Sequence, residues 1–126
     1  MNAFAAMQQY QAVNTQAQAA AADPHRLIPM LMEGGLTRLA QARGAMERQQ
    51  TALKGELISK AIGIIGGLRQ GLDLEKGGEI AGNLDSLYDY MTRRLMDANV
   101  KNDPAILEEV SGLLREVKEG WDAIAA

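Results

Sequence analysis

The chain has 126 residues, no cysteine, 4% aromatic residues and a formal net charge of −3. This length suits one domain with a buried core; the lack of cysteine excludes disulfides, thiolate zinc sites and thiol nucleophiles, and the lack of a basic patch argues against nucleic acid as the main partner. No apolar run approaches the roughly 20 residues of a membrane span, and the N-terminus lacks the features of a signal peptide, so we expect a cytosolic protein without membrane insertion.

The first 22 residues contain no charged residue and are dominated by Ala and Gln. Their large apolar side chains are Phe4, Met7, Tyr10 and Val13, which is too little bulk for a core, so residues 1–22 are predicted to be a mobile N-terminal arm. Ala-rich sequence favours helix, and the arm would become helical on a surface that accepts these side chains. We expect it to lie on an apolar groove as a removable lid.

Asp23-Pro24 is typical of an N-cap followed by the first residue of a helix, and the same pair recurs at Asp103-Pro104. The first helix is predicted from residue 24 to residue 47. Pro29 lies past its first turn, where it removes a hydrogen bond and crowds the carbonyl four residues back. A kink or a 3₁₀ start is therefore expected near residues 24–29.

Three further helices are predicted, at about residues 52–72, 79–100 and 104–123. The pair Gly77-Gly78 ends one helical pattern, and Glu79 opens the next, since an acidic residue suits the positive end of a helix. Short connections favour antiparallel neighbours. Because no alternating strand pattern occurs, the sequence predicts an all-α, antiparallel up-down four-helix bundle over residues 23–126.

Helices two and four carry more apolar surface than one core-facing stripe requires. Beside the main stripe of helix two lie Ile58, Ile62 and Ile65. Beside that of helix four lie Leu107, Leu114 and Trp121. Two interpretations remain open: a wide interior face, or a groove that stays partly exposed until a partner fills it.

Gly63, Gly66, Gly67 and Gly71 lie in the second half of helix two, and each costs roughly 1 kcal/mol relative to Ala in an exposed helix interior. Three of them are spaced by four and flatten one face, either for close packing within the bundle or as a docking strip for a partner helix. Tyr88 and Tyr90 point about 200° apart on a helix, so one faces the core and the other is a candidate contact. The candidate partner-binding residues are Met7, Tyr10, Val13, Ile58, Ile62, Gly63, Ile65, Gly67, Gly71, Tyr88, Leu107 and Leu114.

Catalytic and metal-binding patterns are missing from the chain. His25 is the only histidine, and near a helix N-terminus we expect it to be solvated. The paired Glu-x-x-His motifs of carboxylate-bridged metal bundles are absent. We therefore expect no enzyme activity, no cofactor and no metal.

Four blocks of sequence, in order, resemble the flagellin export chaperone family (FliS). They are Ala21-Ala22-Asp23-Pro24 with Leu27-Ile28 and Met30-Leu31-Met32-Glu33-Gly34; Lys60-Ala61 with Ile64-Ile65, Leu68 and Leu72-Asp73; Leu74 to Leu84, continued by Leu87-Tyr88-Asp89-Tyr90-Met91; and Asn102-Asp103 with Leu107, Glu109-Val110, Leu113-Leu114 and Trp121. The resemblance runs from about Tyr10 to Trp121. The chain departs from the usual family pattern at Pro29, Met32 and Gly35.

The resemblance implies a cytosolic chaperone that binds the C-terminal segment of flagellin, which is disordered in the monomer. Such a chaperone wraps this segment around its helices, blocks premature polymerisation and delivers the subunit to the flagellar type III export gate. Two alternatives remain. One is a structural homo-oligomer whose surplus stripes pair with a second copy, and the other is an acidic adaptor that binds another flagellar factor, such as an anti-sigma protein.

Overall fold

The computed structural model describes residues 24–125, and these form four α-helices without a strand. The helices are α1 (Pro24–Glu47), α2 (Thr51–Gln70), α3 (Leu74–Lys101) and α4 (Pro104–Ala125). Each packs against its neighbours in sequence, and α4 returns to α1, so the helices form an antiparallel up-down bundle. This confirms the predicted fold class. The predicted arm lies outside the described residues.

The connection between α3 and α4 is a tight turn built from side-chain and backbone caps. Asn102 adopts the left-handed conformation (φ 54°, ψ 47°), and its N–H bonds to the carbonyl of Ala98. The Asp103 carboxylate accepts a hydrogen bond from the N–H of Ala105 at 2.9 Å, as an N-cap does. The predicted cap at Asp103 is thus confirmed, whereas the matching Asp23 lies outside the described residues.

A break at Gly78 divides α3 into a first turn, residues 74–77, and a long regular helix. Gly78 has φ 54° and ψ −131°, outside the helical region. A side chain at Gly77 would also be blocked, because its Cβ would lie 2.5 Å from the Cβ of Ala81. The regular helix continues from Glu79 as predicted, but an additional turn capped by Asp73 precedes it.

α1 passes through Pro29 as continuous α-helix, so the predicted 3₁₀ start is wrong. The missing N–H removes one helical hydrogen bond close to the helix start. The rest of the helix is held by tertiary packing, since Met32, Leu39 and Met46 are buried in the core. Packing rather than local propensity therefore decides the conformation here.

The core runs the length of the bundle and is almost wholly apolar. Its largest fully buried side chains are Met32, Leu39, Ile58, Ile65, Met91, Leu95, Leu107, Val110 and Leu114. The buried polar residues among those described are Ser111 and Lys54. Lys54 is 5% exposed, and its Nζ donates to the carbonyl of Asn99 at 3.0 Å and to Oδ1 of Asn102 at 3.1 Å. The ammonium thus completes the C-terminal end of α3, where a cation is favoured.

Candidate functional site: an apolar groove at the open end of the bundle

A groove of about 450 Å³ opens at the end of the bundle where α1 and α3 begin and α2 and α4 end. We call this the open end. Met32, Leu68 and Tyr88 form the buried floor of the groove, whereas Ile80 and Ile124 on its rim are 74% and 79% exposed. The other lining residues are Leu27, Ile28, Leu31, Gly67, Gly71, Leu72, Leu84, Glu116, Val117, Gly120 and Trp121.

The groove exists because all four apolar stripes reach the open end and no described element covers them. Among the lining residues that the structure describes, only Glu116 carries a charge. Burial raises the pKa of the Tyr88 phenol, so this side chain stays neutral at physiological pH. Such a surface recognises apolar side chains rather than charges.

Gly63, Gly66 and Gly67 of α2 make no close contact with another helix. A Cβ at Gly63, Gly66 or Gly67 would meet no atom within 4 Å outside its own helix turn. Gly67 and Gly71 line the groove, and Gly63 is exposed one turn further along the same face. The close-packing interpretation is therefore wrong for these residues, and the strip is open to an incoming backbone.

Close packing between helices instead uses the glycines of α1. A Cβ at Gly35 would lie 3.1 Å from Cδ2 of Leu114 and 3.5 Å from Cγ2 of Ile64. One at Gly34 would lie 3.6 Å from Cδ1 of Ile64. Small residues here let α1 approach α2 and α4, and this side of the bundle is closed.

Four residues of the surplus stripes lie in the core rather than on a surface. Ile58, Ile65, Leu107 and Leu114 are each at most 2% exposed. The expectation that they offer a partner exposed surface is wrong, because both apolar rows of α2 and of α4 turn inward in this small bundle. Ile62 is half-buried and packs against the same core.

Tyr88 and Tyr90 point in different directions, as their spacing predicts, and only one of them faces the core. Tyr88 is 3% exposed and contributes to the floor of the groove. The Tyr90 hydroxyl donates to Oε2 of Glu109 at 3.0 Å and so joins α3 to α4. Gly67, Gly71 and Tyr88 are thus the predicted partner residues that line the groove, while Met7, Tyr10 and Val13 lie outside the described residues.

Sequence reasoning missed most of the lining of the groove. Leu27, Leu31, Leu72, Ile80 and Ile124 line it together with Trp121, yet none was a predicted partner residue. The sequence did contain a usable signal: the apolar stripe of each of the four helices continues up to the terminus that lies at the open end. An up-down topology brings those ends together.

His25 and Trp121 meet beside the groove. His25 is exposed, but its ring stacks on the indole with centroids 5.4 Å apart and planes tilted by 31°, so it is not simply solvated as expected. Within the described residues, the indole Nε1 of Trp121 is buried and has no hydrogen-bond partner. This is the one polar atom of the groove that the fold leaves unsatisfied among the described side chains.

Charged side chains hold the helices together outside the groove. The guanidinium of Arg69, near the end of α2, binds Asp85 at 2.7 Å and Asp89 at 3.1 Å on α3. The hydrogen bond from Arg69 lowers the pKa of Asp85. On the other side, Lys118 of α4 binds Asp122 at 2.7 Å and Glu33 of α1 at 3.5 Å.

Neither a metal site nor a membrane-spanning helix is seen in residues 24–125. No group of three or more His, Asp or Glu side chains in this range is arranged to hold a metal ion. None of its helices is both long enough and apolar enough to cross a membrane.

Comparison with known proteins gives consistent matches along the whole chain. The family described as "Flagellar protein FliS" matches residues 6–126. "Flagellar secretion chaperone FliSB" of Pseudomonas aeruginosa is 65% identical over 125 residues, which cover 99% of each chain. Proteins named "Flagellar secretion chaperone FliS" are 50% identical in Salmonella typhimurium (92% of this chain and 87% of that protein) and 45% identical in Vibrio cholerae (94% and 87%). The chain therefore belongs to the FliS family, whose members are flagellar chaperones and not enzymes.

Proposed function

We propose that this chain binds the disordered C-terminal segment of flagellin in the cytosol, prevents its premature polymerisation and delivers it to the flagellar type III export gate. The observation that carries the proposal is the apolar groove at the open end, which no residue from 24 to 125 covers, in a chain of a flagellar chaperone family. The flagellin segment that drives polymerisation must not contact other flagellin molecules before export. A groove that buries the apolar side chains of this segment prevents such contacts directly.

The shape of the groove favours a helical client over an extended one. Helix-in-groove recognition uses apolar side chains at steps of three and four residues. The rim residues Ile80 and Ile124 lie on different helices and would contact the two sides of such a helix. Gly67 and Gly71 form a low part of the wall, where the client backbone can approach α2 closely.

Binding of this kind is coupled folding and binding. A segment that folds on its partner typically buries about 1,000–3,000 Å² and loses about 2–5 kcal/mol to ordering. A groove of about 450 Å³ accommodates only part of such a segment. The remainder would extend along other surfaces of the bundle, including the exposed face of α2 at Gly63.

Calorimetry with a synthetic peptide of the flagellin C-terminal segment tests the proposal. We expect one peptide per chain and a clearly negative heat-capacity change, because apolar burial dominates. Affinity should depend weakly on salt. An affinity that collapses at moderate salt, with a heat-capacity change near zero, would contradict binding in this groove.

Ile80 and Val100 are both exposed residues of α3 and provide a matched pair of variants for testing where the client binds. Ile80→Glu places a charge on the rim of the groove, and Val100→Glu places one elsewhere on α3, at a residue that is 85% exposed. Both should fold, since neither side chain is buried. We expect Ile80→Glu to weaken peptide binding by about tenfold or more, because the charge would lose its water on binding, and Val100→Glu to leave binding unchanged. Equal affinity of the two variants would show that the client binds elsewhere.

Capture of bound proteins from cells distinguishes the alternatives. Flagellin and a component of the export gate are the expected partners of the natural chain, and flagellin should be lost with Ile80→Glu. Recovery of an anti-sigma protein without flagellin would favour the adaptor alternative. A self-associated chain that binds no flagellin peptide would favour the homo-oligomer.

A further inference from the structure

The unpaired indole N–H of Trp121 is the starting point of this inference. Nε1 of Trp121 is buried, and it has no hydrogen-bond partner in the part of the chain that the structure describes. Buried N–H groups are paired in the great majority of folded proteins, and a buried tryptophan usually finds an acceptor. An orphan donor in the wall of a binding groove calls for an explanation in terms of what fills the groove.

Within residues 24–125, no neighbouring group accepts a hydrogen bond from Nε1 of Trp121. Apart from Glu116, the lining residues of the groove carry apolar side chains or are glycines, and Tyr88 lies on the floor. Glu116 is exposed and makes no hydrogen bond with the indole. The His25 ring contacts the indole with its plane tilted by 31°, and it does not accept a hydrogen bond from Nε1. The described part of the chain consequently leaves this donor unsatisfied, at a cost that an incoming acceptor can remove.

A helical client brings acceptors of one kind into an apolar groove. Carbonyl groups within a helix already bond to N–H groups four residues on, whereas the last four carbonyls of a helix have no partner in it. We propose that the Trp121 indole turns when the client docks and donates from Nε1 to a free backbone carbonyl at the C-terminal end of a client helix. Trp121 is then a positioning residue that fixes the direction and the register of the docked helix.

Space for this movement is present around Trp121. The residue is half-buried, and Ile124 on the next turn is 79% exposed. Because Trp121 already lines the groove of about 450 Å³, a turn of the indole towards the groove moves the ring into open space. The inference rests on the proposed function, because it requires a client in the groove.

Nuclear magnetic resonance reads the proposed hydrogen bond directly, since Trp121 is the only tryptophan in the chain. On addition of the flagellin C-terminal peptide, the single indole proton signal should move downfield, and its exchange with deuterated water should slow. A peptide that shifts backbone signals but leaves the indole proton in place, or moves it upfield, would overturn the inference. If no signal shifts at all, the proposed function fails instead, so the two failures are distinguishable.

Replacing the indole N–H of Trp121 with sulfur provides a second test of the proposed hydrogen bond. Tryptophan-requiring cells supplied with 3-benzothienylalanine give a chain in which sulfur replaces the indole N–H at position 121 and the ring shape is kept. This chain should melt at the same temperature or higher, because the orphan donor is gone. It should bind the peptide about fivefold to tenfold more weakly, the effect of one net hydrogen bond. Unchanged affinity would show that Nε1 has no part in binding.

Discussion

A single buried cation connects the two turns at the end of the bundle opposite the groove. The ammonium of Lys54, on α2, donates hydrogen bonds to the carbonyl of Asn99 and to Oδ1 of Asn102, just before the start of α4. Replacing it with Met would keep the apolar stem but leave two acceptors without their donor. We expect Lys54→Met to lower the free energy of unfolding by about 1–3 kcal/mol, measured by urea denaturation. Lys60→Met is the control: Lys60 is exposed and pairs only with Glu56, at 3.2 Å, so its loss should change stability by no more than about 0.5 kcal/mol.

Adjacent glycines of α2 allow a test of the docking strip at the scale of one side chain. Gly67 lines the groove, whereas Gly66 does not, and an added Cβ at either meets no atom within 4 Å outside its own helix turn. Both Gly67→Leu and Gly66→Leu should therefore fold, with a small gain in helix propensity. Peptide binding should weaken only for Gly67→Leu, because its side chain would occupy the place of the client backbone. A large loss of stability for Gly67→Leu would indicate an internal contact that the structure does not show.

At the scale of the helix, α3 depends on glycine at its break and not beyond it. Gly78 has a positive φ that L-residues rarely adopt, whereas Gly82 lies in regular helix with open space around it. Gly78→Ala should lower the free energy of unfolding by about 1–3 kcal/mol through backbone strain. Gly82→Ala should raise it by up to about 1 kcal/mol through helix propensity. Urea denaturation of the two variants checks the opposite signs, and a neutral Gly78→Ala would mean that the first turn of α3 re-forms at no cost.

The boundaries of the helices were predictable because local chemistry sets them. Asp103 caps a helix start and Pro104 fixes φ there, whereas Gly78 allows the positive φ that breaks α3. The groove was less predictable because it depends on tertiary packing. Ile58 and Ile80 are both apolar helix residues, yet they are 2% and 74% exposed. Only the relative placement of four helices separates an interior row from a groove wall.

For the bundle as a whole, ion pairs cross three of the four contacts between neighbouring helices. Within residues 24–125, the α1–α2 contact has no ion pair and uses close packing at Gly34 and Gly35 instead. The pairs that cross are Arg43–Glu108 and Lys118–Glu33 between α1 and α4, Arg69–Asp85 and Arg69–Asp89 between α2 and α3, and Arg94–Glu109 between α3 and α4. These pairs are at least partly exposed, so each adds little stability, but together they favour one register of the helices.

The pH dependence of stability follows from two of these pairs. Hydrogen bonds from Arg94 and Tyr90 lower the pKa of Glu109 from its ordinary value of 4.5, and the hydrogen bond from Arg69 lowers that of Asp85 from 3.8. The pKa of each carboxyl group is thus lower in the folded protein than in the unfolded chain. The pairs contribute their full stabilisation at pH values above the unfolded pKa, and this stabilisation is lost as the pH falls through the folded pKa. Thermal melts should therefore show declining stability below about pH 4.5, with a shallower decline in Glu109→Gln. A decline in that variant as steep as in the natural chain would show that the pair with Arg94 contributes nothing.

The predicted arm connects to the bundle next to the groove, since Leu27 and Ile28 line the groove close to where the described chain starts. A short tether gives the arm a high effective concentration at that surface, and the arm carries no charge that would oppose burial. We propose that the arm covers the groove. Deleting residues 1–18 should then leave the helical circular dichroism signal intact but promote self-association, because the groove would lose this cover. Flagellin peptide should then bind equally well or more tightly, because it no longer competes with the arm.

In the natural chain, arm amides should exchange faster when the peptide is added. Arm amides that become more protected would instead make Met7, Tyr10 and Val13 part of the client site, and the deletion would then weaken binding.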